Sequence, residues 1–266
     1  MKRTLPFLLL AGTSLLFTTS SHAGLIASAL TDSSDVNLVK HENDFQNYFS
    51  SATDIFQTIS VSQLGAEQLI DRSALSPFID NLGIITPDHL GSVFAASDTK
   101  NSDNTTGSVE ALWVFDVSGF ENLTLDIDIA AMGDFESSDR LSIYYQVNGT
   151  PQTTLWTAQA QTSRQQNYQL SSGQSVSLDD PLAIDGDLLS NQFTTFSADI
   201  AEKGQQLTIG IQASLDGGSE GVILKSMLIS GDKQTQGPVT VPTPPSIILF
   251  LLAVLLARFH FYRITK

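Results

Sequence analysis

The chain has 266 residues, no cysteine and a formal net charge of −15. Without cysteine it holds no disulfide, thiolate nucleophile or thiolate metal site. All 28 acidic residues but only eight of the 13 basic ones fall within residues 24–240, so that stretch carries −20, which repels nucleic acid and anionic headgroups and attracts cations.

Residues 1–23 carry Lys2 and Arg3, an apolar run over 5–17, and Ser21-His22-Ala23. Basic start, apolar centre and small-residue end make a secretory signal peptide, with cleavage after Ala23. Residues 24–37 are small and polar and read as a loose lead-in, with a first strand opening over 36–40. Residues 54–64 alternate, 65–91 are weakly patterned with a helical turn over 66–75, 92–96 form a short apolar strand and 100–108 a polar loop.

Residues 109–147 are the most regularly patterned part and read as three long strands. Leu123, Leu125, Ile127 and Ile129 alternate with Thr124, Asp126 and Asp128. Successive strand side chains point to opposite faces, so one face is aliphatic and the other acidic, as in an antiparallel sheet with one face on a core. Asn148-Gly149 then predicts a hairpin turn, since both residues tolerate positive φ. Further strands are expected over 153–157, 167–170, 193–200, 206–215 and 222–229, separated by an acidic connection at 178–191 and a turn at 216–220. Roughly nine or ten strands without a long amphipathic helix predict an all-β antiparallel sandwich over residues 24–231.

Residues 232–245 are polar and proline-rich, hence a linker. Residues 246–257 are uncharged and apolar, and Arg258, Arg263 and Lys266 follow. Twelve helical residues reach only about 18 Å against a hydrocarbon core of roughly 30 Å. Extension through residue 264 with Arg258 snorkelling makes a single transmembrane helix, with the basic end cytoplasmic and the acidic domain outside.

Chemistry-bearing residues gather in turns. Asp134, Glu136 and Asp139 share one, Asp179, Asp180, Asp185 and Asp187 another, and Asp216 and Glu220 a third. None has EF-hand spacing, but calcium takes six to eight oxygens from such carboxylates, so Asp134, Glu136, Asp139, Asp216 and Glu220 are the candidate metal ligands. Only His41 and His89 lie between the two ends, and no metalloprotease, serine-hydrolase or phosphate-loop motif occurs. A non-enzymatic protein is expected. Sugar binding would use an exposed ring; Trp113 sits in an apolar strand and reads as core, which leaves Trp156 as the candidate.

The tail resembles the PEP-CTERM sorting signal of Gram-negative bacteria. The matching residues are Val241, Pro242, Thr243 and Pro244, then the hydrophobic run and the basic end; Thr243 stands where that family usually has Glu. The resemblance implies an exosortase-type processing enzyme as partner and display outside the inner membrane or at the cell surface. Residues 130–139, 178–181 and 216–220 resemble a jelly-roll domain of exported bacterial surface proteins. In carbohydrate-binding-module-like jelly rolls a structural calcium commonly takes a first-strand carboxylate and a last-strand Asp; the aligned residues here are Leu224-Lys225-Ser226-Met227. The resemblance thus implies that Lys225 replaces the ion and pairs with a first-strand carboxylate such as Glu42. The expected function is a non-enzymatic surface or extracellular-matrix component. A carbohydrate-binding module is the alternative, and a glycan-active enzyme, with two facing carboxylates, the third reading.

Overall fold

The structure is a computed structural model that describes residues 23–31, 33–51, 53–61, 69–74, 83–84 and 91–235. The signal peptide but for Ala23, the sorting motif Val241 to Pro244, the apolar run and its basic end lie outside the described residues. Among the described residues no helix is long and apolar enough to cross a membrane.

The described strands are, in chain order, β1 (Gly24–Ala29), β2 (Leu38–Asn43), β3 (Ile55–Ser60), β4 (Ser92–Ser97), β5 (Val109–Asp116), β6 (Phe120–Gly133), β7 (Arg140–Val147), β8 (Thr153–Ala160), β9 (Gln165–Gln169), β10 (Ser175–Asp179), β11 (Leu182–Ile184), β12 (Asp187–Leu188), β13 (Thr194–Ile200), β14 (Gln206–Ser214) and β15 (Glu220–Lys233). They build two antiparallel sheets and a separate β9–β10 hairpin. The first sheet runs β13-β6-β15-β4-β3, with β1 also pairing β15; the second runs β12-β11-β8-β7-β14-β5-β2.

The aliphatic face of β6 meets the inward residues of the second sheet. Leu125, Ile127 and Ile129 join Trp113 and Phe115 of β5, Ile143 and Val147 of β7, and Leu207, Ile209 and Ile211 of β14 in one core. On the opposite face of β6, Thr195 Oγ1 donates to Asp128 and Ser197 Oγ to Asp126, both at 2.5 Å. The alternation then stops, and Ala130, Ala131 and Met132 are all buried. There a second, smaller core covers the outer face of the first sheet, drawing Ile84, Tyr168 and Leu170 onto Met132 and Ile223.

Residues 109–147 form the three expected strands, divided between the sheets: β5 and β7 flank β14 in the second, while β6 lies in the first. Each polar connection crosses the sandwich. Other expectations are corrected. The lead-in contains β1, paired with Met227 to Gly231 of β15, because Ala27 and Ala29 are small enough to be fully buried along that edge. The acidic connection at 178–191 contains a small hairpin, β11–β12, turned by Asp185 and Gly186 at φ 52° and 91°. β15 runs to Lys233, two residues into the assigned linker.

Lys225 does not reach Glu42. A bulge in β15 between Leu224 and Ser226 turns it to the outer face of the first sheet. Its Nζ lies 3.8 Å from Asp128 and 4.8 Å from the centre of the Phe193 ring. Glu42, on the other sheet, pairs with Lys40.

Candidate metal centre

Two of the crossing connections lie side by side. Residues 134–139 lead from β6 to β7, and residues 215–219 lead from β14 to β15. Register brings them together: Gly133, at the end of β6, faces Glu220, at the start of β15, and Arg140 of β7 faces Ser214 of β14. Sheet pairing therefore places Glu136 and Asp139 against Asp216 and Glu220, although some 80 residues separate the loops.

The first loop is pinned by Phe135, which is fully buried, and by a turn in which the Asp139 N–H donates to the Glu136 carbonyl at 2.9 Å. The Asp139 carboxylate then laces the loops together. Its Oδ2 accepts from the Glu136 N–H at 2.6 Å, and its Oδ1 accepts from the Asp216 N–H at 3.1 Å. Glu220 Oε1 accepts from the Gly217 N–H at 3.1 Å, and the Glu220 carbonyl accepts from Ser97 Oγ at 2.6 Å. Gly133 has to be glycine for this approach, since a Cβ there would lie 2.5 Å from the Glu220 Cβ.

Asp139 and Glu220 are each 0% exposed, and Glu220 Oε2 has no hydrogen-bond partner. Ligand oxygens of Glu136, Asp139 and Glu220 all lie within 4.8 Å of one another. Burial first, then the neighbouring carboxylates Asp139 and Glu136, push the Glu220 carboxyl up to about 10. Burial, then the hydrogen bond and charge of Asp139, also raise Glu136. The lysine of this region, Lys100, sits at the rim, its Nζ 3.4 Å from Asp216 Oδ2. Asp98 adds further acid; its carboxyl is raised by burial and then by Asp54 and Asp216.

Three of the five predicted ligands, Glu136, Asp139 and Glu220, are thus brought together, and Asp216 lies beside them with its N–H on Asp139 Oδ1. Asp134 is not one of them: it is exposed, and its carboxyl is raised by burial and then by Asp180 and Asp179, a separate acidic group. Sequence reasoning missed Ser97, Gly133 and Gly217, which hold the site from strand ends and a turn. The Gly217-Gly218 pair marked the turn but not what it gripped.

The predicted sugar platform is corrected. Trp156 is 6% exposed and packs edge-on against Phe196 in the main core, because its position on β8 points inward toward the first sheet. Tyr144, Tyr145 and Tyr168 are buried as well, and Trp113 is core as expected.

An all-oxygen donor set suits a hard cation. Calcium binds oxygens at 2.3–2.6 Å, so any two ligands of one ion stand no more than about 5.2 Å apart, a limit that the three oxygens here, all within 4.8 Å of one another, meet. A retaining glycosidase holds its carboxyl groups at a similar distance, about 5–5.5 Å, but both must reach the sugar. Here two of the three carboxylates are sealed from solvent. The arrangement fits an ion, not a polymer.

No known protein-family profile matches the chain, and no curated protein matches its sequence. Among solved structures it is similar to TmCBM61 in complex with beta-1,4-galactotriose, at 4% identity over 73% of this chain and 88% of that one, with a TM-score of 0.36. It is also similar to the CBM22-1–GH10 modules of a Clostridium thermocellum xylanase complexed with xylohexaose, at 10% identity and a TM-score of 0.30 over 77% of this chain but 30% of that one. A third is the K1 cleaved adhesin domain of Lys-gingipain from Porphyromonas gingivalis, at 12% identity over 74% and 98%, with a TM-score of 0.28. At these values the likeness carries no ligand or activity over to this chain.

Proposed function

We propose that this chain is an exported, non-enzymatic surface or extracellular-matrix protein. Its jelly-roll sandwich binds one structural calcium ion at Glu136, Asp139 and Glu220. The observation that carries the calcium reading is Glu220: a fully buried carboxyl with an unpartnered oxygen aimed at two more carboxylates. Leaving such a group unsatisfied is costly, and a divalent cation satisfies it while cancelling the repulsion around it. The ion would also tie the two crossing loops, and hence the two sheets, at one end. Export is carried by the basic, apolar and small-residue start, and display by the apolar tail with its basic end.

Calorimetric titration of the purified chain with calcium tests the site. One ion per chain is expected, at a dissociation constant of about 10⁻⁴–10⁻³ M, as in extracellular calcium modules. Glu220→Gln and Asp139→Asn should each abolish the heat, and full-strength binding by both variants would sink the assignment. Expression in a Gram-negative host tests export. A chain recovered outside the inner membrane and beginning at Gly24 is expected; an intact Met1 chain held in the cytoplasm would overturn it.

A further inference from the structure

A third loop, residues 98–108 after β4, reaches the acidic cluster and brings a cation to it. The Lys100 N–H donates to the Leu215 carbonyl at 2.8 Å, and the Leu215 N–H donates to Thr99 Oγ1 at 2.9 Å, so Lys100 is fastened beside Asp216. Its hydrocarbon stem lies against Gly107, where a Cβ would stand 2.8 Å from Lys100 Cβ, Cγ and Cδ. The ammonium is thereby delivered to Asp216 Oδ2 at 3.4 Å, and Ser138 Oγ donates to that same oxygen at 3.2 Å. Glu136 is raised by burial, then by Asp139 and last by Asp216, so the Asp216 carboxylate lies within electrostatic reach of the cluster. It is nevertheless not among the three whose oxygens converge within 4.8 Å. Arg140 nearby donates instead to the Ser137 and Asp139 carbonyls, at 3.3 and 3.2 Å.

We infer that Lys100 sets the calcium affinity of this site by holding the Asp216 carboxylate out of the ligand set. The inference rests on the calcium reading above. Calcium takes six to eight oxygens, so a fourth carboxylate beside the three would add to a set that they do not fill alone. Asp216 is placed to supply it: its N–H is already on Asp139 Oδ1, in the turn that Glu220 grips through the Gly217 N–H. To turn toward an ion, that carboxylate must leave Lys100 Nζ and Ser138 Oγ. Its contribution to binding is therefore reduced by the strength of the ion pair it breaks. The Lys100 side chain is 44% exposed, so water screens its own charge from the ion, and its main effect runs through Asp216. Without an ion, the same ammonium offsets the repulsion of Asp216 with Asp98 and Glu136. One side chain thus stabilises the ion-free state and weakens the ion-bound one.

Calorimetric calcium titrations of variants of the purified chain test this. Lys100→Met keeps the stem and removes the charge. It should bind calcium roughly fivefold more tightly than the wild type, the strength of one well-formed exposed ion pair. Lys100→Arg keeps the charge and should not tighten binding. Lys203→Met makes the same change in net charge beside Glu121, roughly 40 Å along β6 from the site at 3.3 Å per strand residue, and should leave the affinity unchanged. In an Asp216→Asn background the gain from Lys100→Met should fall below about twofold, because the carboxylate it releases is gone. In chelator, Lys100→Met should melt below the wild type, a loss opposite in sign to its gain in calcium binding. No tightening in Lys100→Met would overturn the inference and leave the calcium site in place. So would an equal tightening in Lys203→Met or in the Asp216→Asn background. If neither the wild type nor Lys100→Met binds calcium, the site itself falls and the inference with it.

Discussion

Glu220 shows how one residue sets a pH response. Its carboxyl rises from an ordinary value near 4.5 to about 10 in the fold, so the folded chain holds a proton that the unfolded chain releases above pH 4.5. Stability from this group is therefore fully present below about pH 4.5 and is lost as pH rises toward 10. In chelator, acidification from pH 8 to pH 6 should stabilise the protein by at most about 1.4 kcal/mol per pH unit for one such group. Glu136 acts in the same sense. Glu220→Gln cannot titrate, so its stability in chelator should be much flatter with pH, measured by urea unfolding at each pH. An unchanged slope in that variant would show that Glu220 is not the group responsible. Calcium competes with the proton for the same oxygens, so its stabilising effect should grow with pH.

The elements show what a sequence can and cannot carry. β6 was legible because Leu123 to Ile129 alternate over a one-sided core, and β14 for the same reason through Leu207 to Ala213. The Asn148-Gly149 turn was legible because φ is positive at both residues, 50° and 71°. β1 was hidden because its inward residues include Ala27 and Ala29, which carry little pattern; β11 and β12 were hidden because three- and two-residue strands have no period at all. The metal centre was legible as five acids in two turns, but not the pairing of those turns, which rests on the register of β6 with β15. Nor did strand alternation show which face of β8 met the core, so Trp156 was read as exposed. Side-chain fit across strands was equally invisible. On the outer face of the second sheet the Tyr144 ring lies over Gly210 of β14 and its hydroxyl donates to Glu110 Oε1 at 2.6 Å. A Cβ at Gly210 would stand 2.1 Å from Tyr144 Cζ. Gly210→Ala should therefore cost about 1–3 kcal/mol through overpacking. In a Tyr144→Ala background the same change should be close to neutral. Equal costs in both backgrounds would mean that the ring is not what forbids a side chain there.

At the scale of the molecule, a stretch carrying −20 repels itself, and two different cation effects must be told apart. Sodium chloride screens exposed charges over a Debye length of about 10 Å at 0.1 M. It should raise the melting temperature gradually, and by the same amount in the wild type and in Glu136→Gln. Site-bound calcium acts by mass action instead: at a concentration 100 times its dissociation constant it stabilises by about 2.7 kcal/mol. For a domain of this size one kcal/mol moves the midpoint by about 2–4 °C, so calcium should add roughly 5–11 °C at fixed ionic strength. Glu136 is exposed, so its replacement by Gln removes a ligand charge without disturbing the core, and the calcium increment should shrink while the sodium increment stays. An equal calcium increment in the wild type and this variant would mean the ion acts on the acidic surface as a whole. The crossing loops would then be held without an ion, by the hydrogen bonds of Asp139 and Ser138 to Asp216.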